Sequence, residues 1–185
     1  TNIEFITIAS TGNVTDFGDE TVARRSFVGV QGTTRGLFAG GRDGNATYYN
    51  IIDYVTIASA GNASDFGDLN NSVRQIAGAS SHSRAVIAGG WTGSARVNVM
   101  DFVTIANTGN ATDFGDLTAA RIGLAGANSL TRGLFAGGST SDGTVAAIDY
   151  ITIASAGNAA DFGDLTTASG SFEEGGTSNC HGGIA

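Results

Sequence analysis

The chain has 185 residues, enough for one domain with a real core, and carries 17 acids against 9 basic residues, all of them arginine, for a formal charge of −8. That balance argues against nucleic acid as a partner, because a phosphate backbone is repelled, and no run of 18 apolar residues offers a membrane-spanning helix, so no membrane insertion is expected. One cysteine and two separated histidines exclude an internal disulfide and a Cys/His zinc cluster, while 29 glycines and no proline suit short strands joined by glycine turns.

The first predicted element, residues 3–9 (Ile-Glu-Phe-Ile-Thr-Ile-Ala), is rich in β-branched and aromatic side chains and reads as a strand. A motif follows, Gly12-Asn13-x-x-Asp16-Phe17-Gly18-Asp19, that returns at Gly61, Gly109 and Gly157, at intervals of 49, 48 and 48 residues. A fixed interval of that size marks a repeat array, in which one supersecondary unit is copied and stacked to bury a core that no unit could bury alone.

The longer unit is clearest from 121 to 165. It runs through a first strand at 121–127, a polar turn, a second strand at 132–138, a variable loop, a third strand at 148–154, the Gly157-Asn158 turn and a fourth strand at 161–165. Each piece is bounded by Gly, Asn, Ser or Asp, so one repeat is a four-stranded antiparallel meander. The third strand (53–58, 101–106 and 149–154) has apolar bulk on both sides and is expected to be covered on both faces. Phe17, Phe66, Phe114 and Phe162 supply one aromatic per fourth strand, placed to plug the gap between neighbouring sheets. The first strand (76–79, 124–127) is rich in Gly and Ala, as befits strands converging on a crowded axis.

Radially repeated four-stranded meanders with narrow inner strands describe an all-β fold, a small β-propeller. The run Arg132-Gly-Leu-Phe-Ala-Gly-Gly138, with Tyr150 and Phe162 near the usual tyrosine and tryptophan positions, resembles kelch repeats, with tryptophan replaced. Repeats of this wording also resemble those of marine phage proteins, including tail-fibre-like ones. That resemblance implies an extracellular or virion location and a role as a viral structural protein in receptor binding at the host surface.

Residues 3–9 align with the third strand, whereas 172–185 align with the first and second, His181 matching Arg84 and Arg132. A single domain over residues 1–185 is expected, its last blade shared by residues 1–20 and 169–185 to close a ring of four blades. The competing arrangement is a piece of a larger ring.

Three sets of residues are candidates for function. The acids and Asn of the repeated turn (Asn13, Asp16, Asp19 and their equivalents) place oxygens three apart, but the pattern guarantees few calcium ligands and reads as a hairpin turn before a soluble edge strand. Five glycosylation sequons, at Asn13, Asn45, Asn62, Asn70 and Asn110, largely repeat the same turn. Arginine recurs before the first strand (Arg24, Arg74, Arg121) and before the second (Arg35, Arg84, Arg132). Pairing of one set with Asp53, Asp101 and Asp149, with Glu4 in the corresponding place, makes them framework in every repeat.

The loop between second and third strands (42–50, 91–98, 139–146) breaks the repeat, and variation on a repetitive scaffold collects where function is grafted. Tyr48, Tyr49 and Trp91, with Arg42 and Arg96, are therefore the candidate ligand-binding residues, suited to stacking on a host-surface glycan or protein. A lectin-like propeller, or a protomer that assembles with copies of itself in a filament or capsid decoration, is the alternative role. No nucleophile elbow, P-loop or Ser/His/Asp set is present, so catalysis is not expected, and neither is a cofactor or metal.

Overall fold

A computed structural model describes residues 2–170, among which there is no helix. Among the described residues, strands β1 (Asn2–Phe5) and β2 (Thr15–Asp19) form a two-stranded hairpin. The first complete sheet is the meander β3 (Val28–Gln31), β4 (Arg35–Ala39), β5 (Ile51–Thr56) and β6 (Ser64–Asp68). The second repeats it with β7 (Ala77–Ser80), β8 (Arg84–Ala88), β9 (Val99–Thr104) and β10 (Thr112–Asp116). The third contains β11 (Ala125–Asn128), β12 (Arg132–Ala136), β13 (Ser139–Thr140), β14 (Gly143–Thr152) and β15 (Ala160–Ser169), with β13 a short extension folded back on β14. All pairings are antiparallel. The shared last blade rests on residues 171–185, which lie outside the described residues, as do Cys180 and His181.

Local chemistry sets the strand limits. The second strand of each sheet stops at a glycine pair held at positive φ, Gly40-Gly41, Gly89-Gly90 and Gly137-Gly138. The first strand starts later than its apolar run suggests, because Ser26, Gln75 and Gly123 occupy one equivalent left-handed position (φ 58°, 56° and 65°) and turn the chain before it extends. The first strands then pack in succession, β3 on β7 and β7 on β11. A Cβ on Gly126 would stand 2.3 Å from the Gly78 carbonyl oxygen, so the small residues there are a condition of that approach. Residues of all three first strands line one cavity of about 470 Å³, including Val28, Gln31, Gly78 and Asn128.

The core lies between sheets. Leu37, Ile52 and Phe66 of the first sheet meet Ile87, Val103 and Ile105 of the second. From its opposite face, the second sheet presents Val86, Met100 and Phe114 to Phe135, Ile151 and Ile153 of the third. Alternate residues of β8 thus serve different cores, Ile87 one and Val86 the other, as a period of two requires. Burial of the third strand on both faces follows: Ile52 and Asp53 are both fully buried.

The repeated Gly-Asn motif has a further part that its sequence does not suggest. Each fourth strand bulges at its Phe-Gly step, the phenylalanine being skipped in the ladder, and on β2, β6 and β10 the turn of the next sheet seats against that bulge. Gly61 N–H donates to Phe17 O (2.7 Å), Ala63 N–H donates to Asp19 O (2.8 Å), and Asn62 Oδ1 accepts from Asp19 N (3.1 Å). The same three bonds recur at Gly109, Asn110 and Ala111 on β6, and at Gly157, Asn158 and Ala159 on β10. The motif is therefore an intersheet joint rather than a free outer edge. The oxygens of Asn62, Asn110 and Asn158 each accept a backbone N–H there, so these side chains already serve the joint.

Phe66 and Phe114 are 2% exposed, each edge-on to an aromatic of its own third strand, Tyr54 or Phe102. Phe162, with the same sequence context, is 51% exposed. The phenylalanine plugs a gap only where another sheet supplies the far wall.

Candidate ligand-binding surface

Arginine separates into framework and surface sets along lines that the sequence blurs. Arg24 and Arg121 are fully buried and ion-paired, Arg24 to Asp53 (2.7 Å) and Arg121 to Asp149 (2.6 Å). Arg24 also donates to Phe38 O, and Arg121 to Gly137 O and Ala147 O. A hydroxyl completes each carboxylate, from Thr21 (2.7 Å) and Thr118 (2.7 Å). Arg35 and Arg84 lie over Tyr54 and Phe102 and donate to carbonyls of the next sheet, Arg35 to Ile105 and Ala106, Arg84 to Ile153.

Arg74 does not belong with Arg24 and Arg121, so the expectation of an acid–arginine pair in every repeat is corrected. The left-handed residue fixes the register: Arg25, Arg74 and Ile122 immediately precede Ser26, Gln75 and Gly123, which makes Val73 the counterpart of Arg24 and Arg121. Asp101, left without a guanidinium, accepts instead from Asn70 N (2.9 Å) and Asn70 Nδ2 (2.6 Å). Burial pushes the Asp101 carboxyl up from its ordinary value, an effect that the Asn70 bonds only partly oppose.

Freed from that role, Arg74 joins a surface row. Directly opposed residues of an antiparallel ladder share a face, and short bridges at the head of each sheet line up Arg25, Arg42 and Tyr48 in the first and Arg74, Trp91 and Arg96 in the second. The equivalent bridge of the third sheet pairs the buried Ile122 with the half-buried Ser139, so the charged rows belong to the first two sheets. Contacts between rows make a continuous band. The Arg74 guanidinium lies 5.9 Å from the Tyr48 ring centroid, and a Cβ on Gly93 would meet that ring at 3.0 Å. Arg96 lies 5.7 Å from the Trp91 centroid and its Nε donates to Ser139 O (3.0 Å).

Of the sequence-predicted residues, the structure brings Tyr48, Arg42, Trp91 and Arg96 into this band. Tyr49 serves the loop instead. Asp43 accepts from Asn45 N (2.9 Å), Thr47 N (2.8 Å) and the Tyr49 hydroxyl (3.4 Å), and bonding by the Thr47 N–H holds its carboxyl below its ordinary value. Burial, followed by the Asp43 charge, raises the Tyr49 phenol. Sequence reasoning missed Arg25 and Arg74. The only cue was Gly123, which marks the left-handed position in one repeat where Ser26 and Gln75 conceal it.

Among the described residues, no group of three or more His, Cys, Asp or Glu side chains is placed to hold a metal ion. No protein-family model and no curated protein sequence matches the chain.

Proposed function

We propose that the chain is a non-catalytic, extracellular binding module, a virion or tail-fibre component that attaches to a host surface through the Arg/Tyr/Trp band. The observation that carries this reading is that residues breaking an otherwise regular repeat converge on one continuous surface. The viral setting comes from the resemblance of the repeats to those of marine phage proteins. A test is a glycan array probed with the native chain and with Trp91→Ala. Retained melting temperature with lost binding supports the reading, and unchanged binding refutes it.

The sheets, in this reading, are blades of a small β-propeller of four, the last shared by residues 1–20 and 169–185. What supports a ring is that three first strands line one cavity and that the end faces are complementary. At one end Val14, the counterpart of Ala63 and Ala111, is 55% exposed; at the other a Cβ on Gly163 would meet nothing within 4 Å and Phe162 is 51% exposed. Those are the two halves of the joint made three times inside the array. An Asn13→Cys/Asp164→Cys pair, in a Cys180→Ser background, should form a disulfide within one chain if the ring closes. A disulfide between chains would instead favour the protomer of an assembly, which the same complementary faces would also serve.

A further inference from the structure

Four of the nine arginines stand in one band: Arg25 exposed, Arg42, Arg74 and Arg96 half-buried. The only arginine–carboxylate pairs within 4.0 Å among the described residues are those of Arg24 and Arg121, so no described carboxylate pairs with any of the four. Among the described residues, Arg25, Arg42 and Arg74 make no side-chain hydrogen bond, and the Nε atoms of Arg42 and Arg74 are buried without a partner. Arg96 uses only Nε, leaving both terminal nitrogens. Asp43, which follows Arg42 in sequence, is turned into its own loop and accepts three hydrogen bonds there. In a chain of formal charge −8, such a surface is not a by-product of overall basicity.

Each guanidinium keeps a planar fork of donors matched to carboxylate or sulfate oxygens. Arg74 and Arg96 are braced against Tyr48 and Trp91, so little side-chain freedom remains to be lost on binding. The charged rows of two neighbouring sheets lie side by side and are carried on by the Arg96 contact with Ser139 of the third, which suits an extended polymer with a charge on successive units better than a compact anion.

We propose that the band binds a linear anionic polysaccharide. The arginines take its carboxylates or sulfate esters, and Tyr48 and Trp91 flank the sugar rings. The inference rests on the attachment reading above and narrows its ligand.

The assay follows from the composition: Trp91 is the chain's single tryptophan, so its emission reports on the band alone. The full chain is titrated with oligogalacturonate, dextran sulfate and neutral dextran. A saturable Trp91 response to either or both charged polymers, and none to dextran, is expected. Which of them binds separates carboxylate from sulfate recognition. Binding should weaken steeply between about 0.01 and 1 M salt, as the screening length falls from about 30 to about 3 Å. Arg42→Gln and Arg74→Gln should each weaken binding by about ten-fold, equivalent to about 1.4 kcal/mol, with Lys replacements keeping the larger part. Arg132→Gln, an exposed arginine over Tyr150 at the other end of β12, should change nothing. Equal loss on Arg132→Gln, or salt-independent binding, overturns the inference. So does binding of neutral glycans that Trp91→Ala abolishes, but that outcome leaves the attachment reading intact. Silence toward charged and neutral polymers alike overturns both.

Discussion

The second sheet tests the buried ion pairs of its neighbours. In the third sheet Arg121 and Asp149 are both fully buried, and removing the cation leaves a carboxylate with only the Thr118 backbone N–H and hydroxyl. Breaking a buried pair from one side costs about 3–5 kcal/mol, because the remaining charge is uncompensated. Arg121→Val should therefore lower the melting temperature by roughly 10 °C, at about 2–4 °C per kcal/mol for a chain of this size. The second sheet carries Val73 at that position and solves the same problem with Asn70, whose side-chain amide lies 2.6 Å from Asp101. Adding Thr118→Asn to Arg121→Val installs the second sheet's solution in the third and should recover a substantial part of the loss. Thermal unfolding by circular dichroism, with denaturant titration for the free energies, measures both steps. A loss below about 1 kcal/mol for Arg121→Val, the scale of an exposed pair, would refute the argument. Absence of any rescue would refute the equivalence of the two solutions.

The joints give a matched pair of substitutions. A Cβ at Gly67 would lie 2.4 Å from the Gly109 carbonyl oxygen, whereas at Gly163, with nearly the same φ, it meets nothing within 4 Å. Gly67→Ala should cost about 1–3 kcal/mol more than Gly163→Ala where the last face stays open, whereas equal losses in chemical denaturation would mean either that backbone strain alone acts or that the ring closes on Gly163, which the disulfide pair above separates. Phe114→Ala should cost about 3–5 kcal/mol, and Phe162→Ala less than about 1 kcal/mol where the last sheet's face stays open but as much as Phe114→Ala where the ring closes on it, read from the same curves. Asp101 binds its proton more tightly in the fold than in the unfolded chain, so its contribution falls as pH rises from the ordinary carboxylate pKa through the folded one. Asp101→Asn should remove that part of the pH dependence and be at least as stable as the native chain at pH 7. A steeper decline in the variant, measured as unfolding free energy between pH 3 and 7, would reverse the assignment.

Much of the fold was legible because its causes are local and copied. Strand alternation, glycine pairs at strand ends and the Gly-Asn turn each act within a few residues, and a period of 48 or 49 states the same instruction repeatedly. The candidate surface was legible only in part. Tyr48 and Trp91 stand out because they break the repeat, whereas Arg74 hides one position away from two buried arginines in sequences that differ by a single residue in register.

The sequence by itself determined the repeat, the four-stranded meander and the convergence of small first strands, because propensity and period need no knowledge of neighbours. The tertiary structure alone decided which copies of an identical motif are buried. Phe114 and Phe162 share a context and differ in fate, since burial depends on the sheet standing opposite. It likewise decided that the Gly-Asn turn grips the preceding sheet, and that arginines from separate repeats form one band, because those distances span about 40 residues of chain and are set only by the packing of one sheet on the next.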